Sequence, residues 1–517
     1  MPNSLRAPAQ HGEILLAPPG SLVEIARENE AALSSSVPLA QIRAEARQEV
    51  LLLATRWTHE LIGSVRDAPH PQFWVMGGHQ PELFHPGVWV KNAVVDGLAA
   101  QLGGVGLNLI VDNDICTSSS VSVPRSPETS GMTTLEWDLP KPQSPWEERA
   151  DPAPEVFATF GQRCQRHLSP WGIDPLAASQ DWGAASELGL VDRLVRLRAG
   201  FERSCGIQNL ELKVSDLSET QSFRRFLFHS LQDAESLRDI YNTALADFRR
   251  TNRIRSRCHP VPALDSTPFG IEVPFWVWRA GEQRRCRLFV RQSEQGMLLL
   301  HDGLREIGTV PASSESAAIT ALADLRLQGW KIRPRALSLT LFCRVYLGSV
   351  FVHGIGGAKY DEMTDALMER WLGLVPPAII VATATMRLFD RFAGSPAEPI
   401  ISKRQAELRK IRWNPESMSA VSETSTPGTA LRAEKSQLLS SKMPAAARHA
   451  RLQAINSTLR AGLIEYVHDL RNELQRLLAS VPYQHSLRSR EYAANLFPAH
   501  TLQEVFKEAH QRVITQQ

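Results

Sequence analysis

The stretch of residues 73–114 constrains the fold more than any other part of the chain. Residues 73–76 are apolar and are followed by two glycines and His-Gln-Pro, as expected where a buried strand ends. Pro86 suits the first position of a helix, which we predict to run to about Leu102, where two glycines stop it. A second buried strand is predicted over residues 107–111. This order defines a βαβ unit with parallel strands and a right-handed crossover.

The loop after the first strand and the acidic sequence after the second strand are predicted to share one edge of the sheet. Open α/β sheets bind ligands at the carboxyl ends of their strands, and the free N–H groups at a helix start suit a phosphate or a carboxylate. We therefore favour a functional site here; the alternative is that the two histidines only cap the helix. The candidate residues are Gly77, Gly78, His79, Gln80, His85, Lys91, Asp112, Asn113 and Asp114.

A second βαβ unit is predicted after residue 331. Its parts are a strand at 349–353, a tight glycine-rich loop at 354–359, a helix at 360–372 and a strand at 378–382. The loop is not a Walker motif, because Lys359 is followed by tyrosine, and it lacks the dinucleotide-binding glycine pattern. Its glycines nevertheless permit the backbone to approach a ligand closely. The candidate binding residues are His353, Gly354, Gly356, Gly357, Lys359, Tyr360 and Asp361.

Arg333 and Arg335 precede this second unit. Together they could clamp a carboxylate or a phosphate, and they are included among the candidate binding residues. For each arginine alone, a role at the protein surface is the alternative.

Composition limits the classes of function. The formal net charge is +2, so no overall field attracts the chain to nucleic acid or to a membrane. The six cysteines form no CxxC pair and no Cys/His spacing, so no metal site is predicted. The first residues lack the pattern of a signal peptide, and no apolar run approaches bilayer length. We expect a cytoplasmic protein that acts on a small molecule.

Five segments are predicted along the chain. They are N-terminal helices with the first half of a Rossmann-like core (1–145), a helical insertion (146–252), a small β-rich insertion (253–310), the second half of the core (311–400), and C-terminal helices (401–517). The β-rich insertion should contain a hairpin with strands at 271–279 and 285–292. Basic residues alternate along its second strand, and that basic face either binds an anion or is simply solvated.

The C-terminal segment carries a long apolar seam. From Leu452 to Val481, apolar residues recur at spacings of three, four and four, an eleven-residue repeat that keeps one seam on a straight helix. This helix is predicted to begin near Pro444 and to end at Pro482. Residues 404–439 would supply an antiparallel partner, giving a coiled-coil hairpin, and the polar residues 414–428 would form a flexible loop within it.

Several of these parts, in this order, resemble one known family. The Gly-His-Gln loop, the Arg-Pro pair at 333–334, the sequence GIGGAKYD, the helical hairpin and the closing SREYAANLFP resemble the bacillithiol-biosynthesis cysteine-adding enzymes, which are cysteine ligases. His79 stands where that family has the first glutamine of a Gly-Gln-Gln loop, and Lys359-Tyr360-Asp361 also departs from it. The sequence HQPELFHP resembles the WbqC-like proteins over that loop only.

The resemblance implies an α/β fold with a Rossmann-like parallel sheet core similar to class I aminoacyl-tRNA synthetases. It also implies inserted connecting domains and a C-terminal α-helical coiled coil. The implied activity is amide-bond formation between cysteine, or another acyl donor, and an amino-sugar thiol precursor. We separately expect ATP or ADP to bind at the sheet edge, and a homodimer as the assembly.

The implied catalytic residues are His79, Gln80, Asp112 and Asp114. His79 and the loop amides would stabilise charge on a transferring phosphoryl or nucleotidyl group, and Asp112 or Asp114 would position an ammonium group or a ribose. The alternatives are a non-catalytic nucleotide- or sugar-binding protein and a nucleotidylyltransferase-like enzyme of a different pathway.

Overall fold

The computed structural model describes residues 5–63, 71–418 and 426–516, which form a mixed α/β protein. The strands are β1 Ile14–Ala17, β2 Trp74–His79, β3 Val105–Ile110, β4 Ser120–Pro124, β5 Met132–Glu136, β6 Leu210–Lys213, β7 Ser266–Thr267, β8 Gly270–Arg279, β9 Cys286–Gln292, β10 Met297–His301, β11 Glu306–Pro311, β12 Trp330–Pro334, β13 Val350–His353 and β14 Ile380–Ala384. The helices are α1 Leu22–Ser34, α2 Val37–Ile62, α3 Pro86–Leu102, α4 Pro154–Ala158, α5 Phe160–Leu168, α6 Leu176–Ser179, α7 Leu190–Ser204, α8 Val214–Leu217, α9 Gln221–Gln232, α10 Ala234–Thr251, α11 Glu315–Leu327, α12 Ala336–Phe342, α13 Ile355–Trp371, α14 Ala397–Trp413, α15 Thr426–Ser440, α16 Ala445–Ala461, α17 Ile464–Leu487 and α18 Ala499–Thr515.

The chain divides into two compact units. Unit 1 comprises residues up to 126, residues 133–386 and residues from 490 onwards, and it holds both large sheets. Unit 2 comprises residues 127–132 and 387–489 and consists mainly of helices α14 to α17.

The central sheet of unit 1 has six strands in the order β1-β14-β13-β2-β3-β6. Strands β14, β13, β2, β3 and β6 are parallel to one another, and β1 pairs with β14 in the antiparallel direction. The two predicted βαβ units therefore join in one parallel sheet, through the pairing of β13 with β2. Because parallel strands end at the same edge, the residues that follow β2 and β13 lie at one edge of the sheet.

Strand β2 is longer than predicted. Gly77 and Gly78 do not end it, and pairing with β3 continues through His79, opposite Ile110. The glycines are needed for close packing: a Cβ built on Gly78 would lie 2.9 Å from the Leu109 Cβ. The predicted end of the strand at Gly77 was wrong because glycine here allows close contact rather than a turn.

Helix α3 has the predicted limits and is buried on all sides. His85 precedes it, Pro86 begins it, and Gly103 ends it in a left-handed conformation with a φ of 60°. One side packs on β2, β3 and β14, and the other on α18. Trp89 illustrates the second contact, since its ring lies 5.4 Å from the ring of Phe506 on α18. The C-terminal helix therefore helps to fix the helix that borders the candidate site.

Two strands of the central sheet were not predicted. β6 lies inside the segment predicted as a helical insertion, yet it pairs in parallel with β3. β1 pairs with the far edge of the sheet, at β14. Both strands have only four residues, too few to show the alternation of apolar and polar residues that marks a strand. They form strands because each pairs with a strand that is distant in sequence.

The second large sheet has the order β11-β10-β9-β8-β12, and every pairing in it is antiparallel. Its β8–β9 hairpin confirms the predicted one to within a residue at the strand starts. Leu288 and Val290 of β9 are buried in the core, while Arg287 and Arg291, on either side of them in sequence, are exposed. The sheet shares one hydrophobic core with α2, α9, α10 and the central sheet, so unit 1 is a single packed body.

The glycine-rich sequence after β13 is helical, so the predicted loop at residues 354–359 was wrong. Gly354 is the N-cap of α13, and the helix begins at Ile355. The first helical bond runs from the Ala358 N–H to the Gly354 carbonyl. Gly356 and Gly357 lie in the first turn, whose N–H groups have no partner within the helix. The glycines thus bring the start of the helix itself to the sheet edge.

The seam predicted in unit 2 as one helix is divided. α16 ends at Ala461 and α17 begins at Ile464, while Pro482 lies inside α17 and does not end it. Leu463, at the break, is buried against Ile411 and Leu470, whereas Leu438, Ile455 and Leu459 form a separate cluster. α14 packs on α17, and α15 packs on α16.

The loop predicted between α14 and α15 falls partly outside the described residues, because 419–425 are not among them. In the part of it that is described, Pro415–Ser417 form a turn of 3₁₀ helix. In the described residues, no helix has the length and apolar character needed to cross a membrane.

Candidate functional site

A cavity of about 430 Å³ lies at the carboxyl edge of the parallel strands in unit 1. The ends of β2, β3 and β13 form one side of it, and α10, β8, β9 and the start of α12 form the other. Its apolar lining includes Leu109, Val111, Leu337, Leu339 and Phe351. Its polar and aromatic lining is Gly78, His79, Gln80, Asn113, Asp114, Tyr241, Trp276, Arg285, Arg335, Thr340, His353, Gly357, Tyr360 and Asp361.

His79 lies at the end of β2 on the rim of this cavity. Its ring meets the edge of Phe84 at a centroid distance of 5.1 Å, and its Nδ1 lies 3.3 Å from the Gln80 carbonyl oxygen. Burial, followed by the nearby Lys91 ammonium, lowers the pKa of His79 to about 3. The imidazole is therefore neutral at neutral pH, and it can exchange hydrogen bonds with a ligand without contributing a charge.

Asp114 organises the polar groups next to His79. Gln80 Nε2 donates to Asp114 Oδ2 at 2.9 Å, and Arg285 Nη2 donates to Asp114 Oδ1 at 3.0 Å. The other terminal nitrogen of Arg285 donates to the Asn113 carbonyl at 2.6 Å. This network joins the rim loop, the segment after β3 and the residue before β9, so the site is preorganised before any ligand binds.

Trp276 and Arg335 form the wall of the cavity contributed by the antiparallel sheet and the start of α12. The guanidinium of Arg335 lies 4.2 Å from the centre of the Trp276 ring, and that of Arg285 lies 4.8 Å from it. Arg335 Nη2 is 2.7 Å from Glu272 Oε1, an ion-pair distance. Within the described residues, none of the three side-chain nitrogens of Arg335 makes a well-formed hydrogen bond, so its contact with Glu272 is an ion pair only.

His353 ends β13 and faces the first turn of α13. Its Nε2 lies 3.1 Å from Asp361 Oδ2, which also accepts from Arg344 Nη1 at 2.6 Å. Burial raises the pKa of Asp361, but His353 and then Arg344 outweigh it and hold that pKa below its usual range. A Cβ on Gly357 would come within 2.9 Å of His353 Nδ1. Asp361 and Gly357 therefore fix the position of the His353 ring.

Two sequence-predicted residues lie away from the cavity and hold other parts of unit 1 together. Asp112 accepts from the Ser215 N–H at 2.9 Å and from its hydroxyl at 2.5 Å, at the start of α8. Burial and then Glu147 raise the pKa of Asp112 to about 7. Arg333 is buried and donates to Glu147 at 2.9 Å and to Glu219 at 2.8 Å.

His85 and Lys91 lie behind the rim. His85 Nδ1 accepts from the Gly87 N–H at 3.1 Å, the capping role given above as the alternative, and its Nε2 lies 3.2 Å from Glu491. Lys91 is buried and donates to the Gly78 carbonyl at 3.1 Å. Burial lowers the pKa of Lys91 to about 8. The other candidates that do not line the cavity are Gly77, Gly354, Gly356 and Lys359.

Four polar or aromatic lining residues were missed as candidates: Tyr241, Trp276, Arg285 and Thr340. Tyr241 lies on α10, Trp276 on β8, Arg285 directly before β9 and Thr340 on α12, all outside the two βαβ units. The only signal in the sequence was the alternation of basic residues along β9, which placed Arg285 on a polar face. Residues of this kind become recognisable only once the second sheet is placed against the first.

In the described parts of the chain, no group of three His, Cys, Asp or Glu side chains is arranged to hold a metal ion. No model of a known protein family matches the chain, and no curated protein matches it. The geometry of the cavity therefore carries the functional interpretation.

Proposed function

We propose that the protein is a ligase-like enzyme that forms an amide bond in the cavity at the carboxyl edge of the central sheet. The observation that carries this proposal is the convergence on one cavity of the loop after β2, the end of β3 and the first turn of α13. A volume of about 430 Å³ lies within the range of small-molecule sites. The sequence resemblance to cysteine ligases supports the same reaction class.

The proposed substrates are cysteine or another acyl donor, an amino-sugar thiol precursor as the amine, and ATP. A carboxylate oxygen of the donor would first take a phosphoryl group from ATP, with release of ADP, or a nucleotidyl group, with release of pyrophosphate. The amine nitrogen then attacks the carbonyl carbon, a C–N bond forms, and the bond from that carbon to the activating oxygen breaks. Phosphate or nucleotide leaves with the electron pair, and the amine releases its proton.

His79 and Asp114 are the residues we assign to this chemistry. The neutral imidazole of His79 donates a hydrogen bond to the transferring group, together with free amides at the sheet edge. Asp114, which Gln80 and Arg285 hold in place, accepts from an ammonium group or a ribose hydroxyl. Asp114 rather than Asp112 takes this role, because Ser215 occupies both oxygens of Asp112.

The same proposal includes the finer features that the resemblance implies. The central sheet would be a Rossmann-like core of the class I aminoacyl-tRNA synthetase kind, and the unit 2 helices would form a coiled coil. The protein would be a cytoplasmic homodimer. Light scattering after size exclusion measures the mass of the assembly, and a mass equal to one chain would contradict the homodimer.

The reaction is tested by mass spectrometry. The protein is incubated with ATP, a panel of amino acids that includes cysteine, and a glucosamine derivative, and a product is sought whose mass is the sum of donor and amine less one water. Asp114→Asn should abolish the product. Asp174→Asn, a change at an exposed aspartate elsewhere in unit 1, should leave it intact. Absence of product with every donor would contradict the ligase proposal.

A non-catalytic nucleotide- or sugar-binding protein is the second candidate. One observation favours it: the histidine on the rim has a pKa of about 3, and the carboxylate beside it is paired with an arginine. The histidine is therefore not set to exchange a proton near neutral pH. Calorimetry separates the two candidates, because ligand binding without product would favour the binding protein.

A further inference from the structure

Arg335 is the least satisfied polar group of the cavity. It is 8% exposed and lines the cavity, but none of its side-chain nitrogens makes a well-formed hydrogen bond within the described residues. A guanidinium carries five N–H donors, and leaving buried donors unsatisfied is unfavourable. Asn113, which is 3% exposed, has an unpartnered Oδ1 on the same cavity, while its Nδ2 donates to the Pro334 carbonyl at 2.8 Å.

The first turn of α13 reaches the same cavity through Gly357. This helix has 17 residues, and its N-cap, Gly354, has no side chain to bond the first amides. The N–H groups of the first turn have no acceptor within the helix, and the helix dipole places partial positive charge there. α13 also packs against α12, the short helix that begins directly after Arg335. The Arg335 side chain and the first turn of α13, at Gly357, therefore border one cavity.

We propose that Arg335 and the first-turn amides of α13 form an oxyanion subsite, which binds a carboxylate or phosphate group of the ligand. Asn113 Oδ1 accepts a hydrogen bond from a hydroxyl or amino group next to that anion. This inference rests on the proposed function in one respect, that the cavity is the substrate site. It adds that one substrate carries an anionic group in addition to the group that reacts.

The residues of this oxyanion subsite differ from the residues assigned to the reaction. Asp114 and Gln80 bond each other on the rim loop, and Arg285 is already committed to Asp114 and to the Asn113 carbonyl. Arg335 has no such commitment beyond its ion-pair distance to Glu272. Arg335 is thus the arginine with donors to offer, and its interaction with an oxyanion would be charge-assisted and bidentate.

The test measures the binding of two oxyanions that need no turnover. Inorganic phosphate and malonate are titrated into the full chain by calorimetry at low ionic strength, with malonamide as the neutral control. Arg335→Gln should weaken the binding of the preferred oxyanion by about tenfold or more, as expected for hydrogen bonds to a charged group. Arg279→Gln, which changes an exposed arginine at the end of β8, should bind like the wild type.

A second pair of variants tests the helix amides. Ile355→Pro removes one N–H at the first helical position, where proline is tolerated, and Ile355→Ala is its control for the lost side chain. Ile355→Pro should bind the oxyanion more weakly than Ile355→Ala, while both melt cooperatively.

The outcomes are distinct. The oxyanion that the wild type binds more tightly, phosphate or malonate, identifies the kind of anionic group. Either result supports the subsite if Arg335→Gln no longer binds that oxyanion as tightly. Equal affinity of Arg335→Gln and the wild type would overturn the proposal, and so would the absence of oxyanion binding by the wild type. A wild type that binds an oxyanion through Arg335 but forms no amide would contradict the ligase proposal and leave the subsite standing.

Discussion

Replacing Gly357 by alanine adds one methyl group at a crowded point of the candidate site. The new Cβ would lie 2.9 Å from Nδ1 of His353, closer than a carbon and a nitrogen can approach without movement. The His353 ring has little room, because it is buried, its centroid is 4.5 Å from that of Phe351, and its Nε2 is held near Asp361. The ring must therefore turn away from its present position.

The size of the effect follows from two opposing terms. In a helix, alanine is more favourable than glycine by about 0.5–1 kcal/mol, because it loses less conformational entropy. Overpacking of a buried contact costs about 1–3 kcal/mol. Gly356 provides the matched control, since a Cβ there meets no atom within 4 Å. Gly356→Ala should thus raise the free energy of unfolding slightly, and Gly357→Ala should lower it.

Urea unfolding followed by circular dichroism gives the two free energies. We expect Gly357→Ala to be less stable than Gly356→Ala by about 1–3 kcal/mol, with equal dependence on urea concentration. The displaced histidine should also weaken ligand binding in Gly357→Ala alone. Equal stability of the two variants, together with equal ligand affinity, would show that His353 does not pack on the first turn of α13.

Three further predictions concern other parts of the chain. His79→Ala should abolish ligand binding and change the free energy of unfolding by only about half a kcal/mol. His59→Ala, at an exposed position on α2, should change neither ligand binding nor stability. A large drop in melting temperature with intact ligand binding would show that His79 has a structural role. Leu463→Asp, at a buried position, should unfold unit 2 helices seen by circular dichroism, whereas Ile464→Asp, at a position 67% exposed, should not. Burial lowers the pKa of Lys91 from 10.5 to about 8. Between pH 8 and pH 10.5 the unfolded state therefore binds more protons than the folded state, and the contribution of Lys91 to stability rises with pH. Lys91→Met should accordingly be more stable than the wild type at pH 7, by up to about 3 kcal/mol, and the difference should shrink as pH approaches 10.5; a difference independent of pH would contradict the assignment.

Features encoded by neighbouring residues were predictable from the sequence. Pro86 at the first helical position and Gly103 at the end fixed α3 at both limits, because proline and glycine restrict the backbone locally. The glycines after β13 show where this reasoning fails. Glycines suit both a loop and the exposed first turn of a helix. Which of the two forms here depends on a tertiary contact, the packing of Gly357 against His353.

The candidate site was predictable to the extent that it lies on the two βαβ units. His79, Gln80, Asn113 and Asp114 line the cavity because they follow parallel strands, a rule of topology. Trp276 and its neighbours on the second sheet could not be placed there, because their position depends on how two sheets pack. Asp112 is the opposite case, a predicted site residue that does not line the cavity. Only the tertiary structure reveals that Ser215 donates hydrogen bonds to both oxygens of its carboxylate.

The contacts of Arg490 have a consequence for how this chain can change in evolution. The chain leaves unit 1 after Met386 and returns at Arg490, whose guanidinium donates to Thr383 Oγ1 at 2.8 Å and lies 3.5 Å from Thr385 Oγ1. The points of exit and return are therefore adjacent. A segment whose two ends adjoin can be lengthened, shortened or exchanged while the parent domain keeps its connections. Descendants of this protein should accordingly differ in length mainly between those two points, and much less around the cavity.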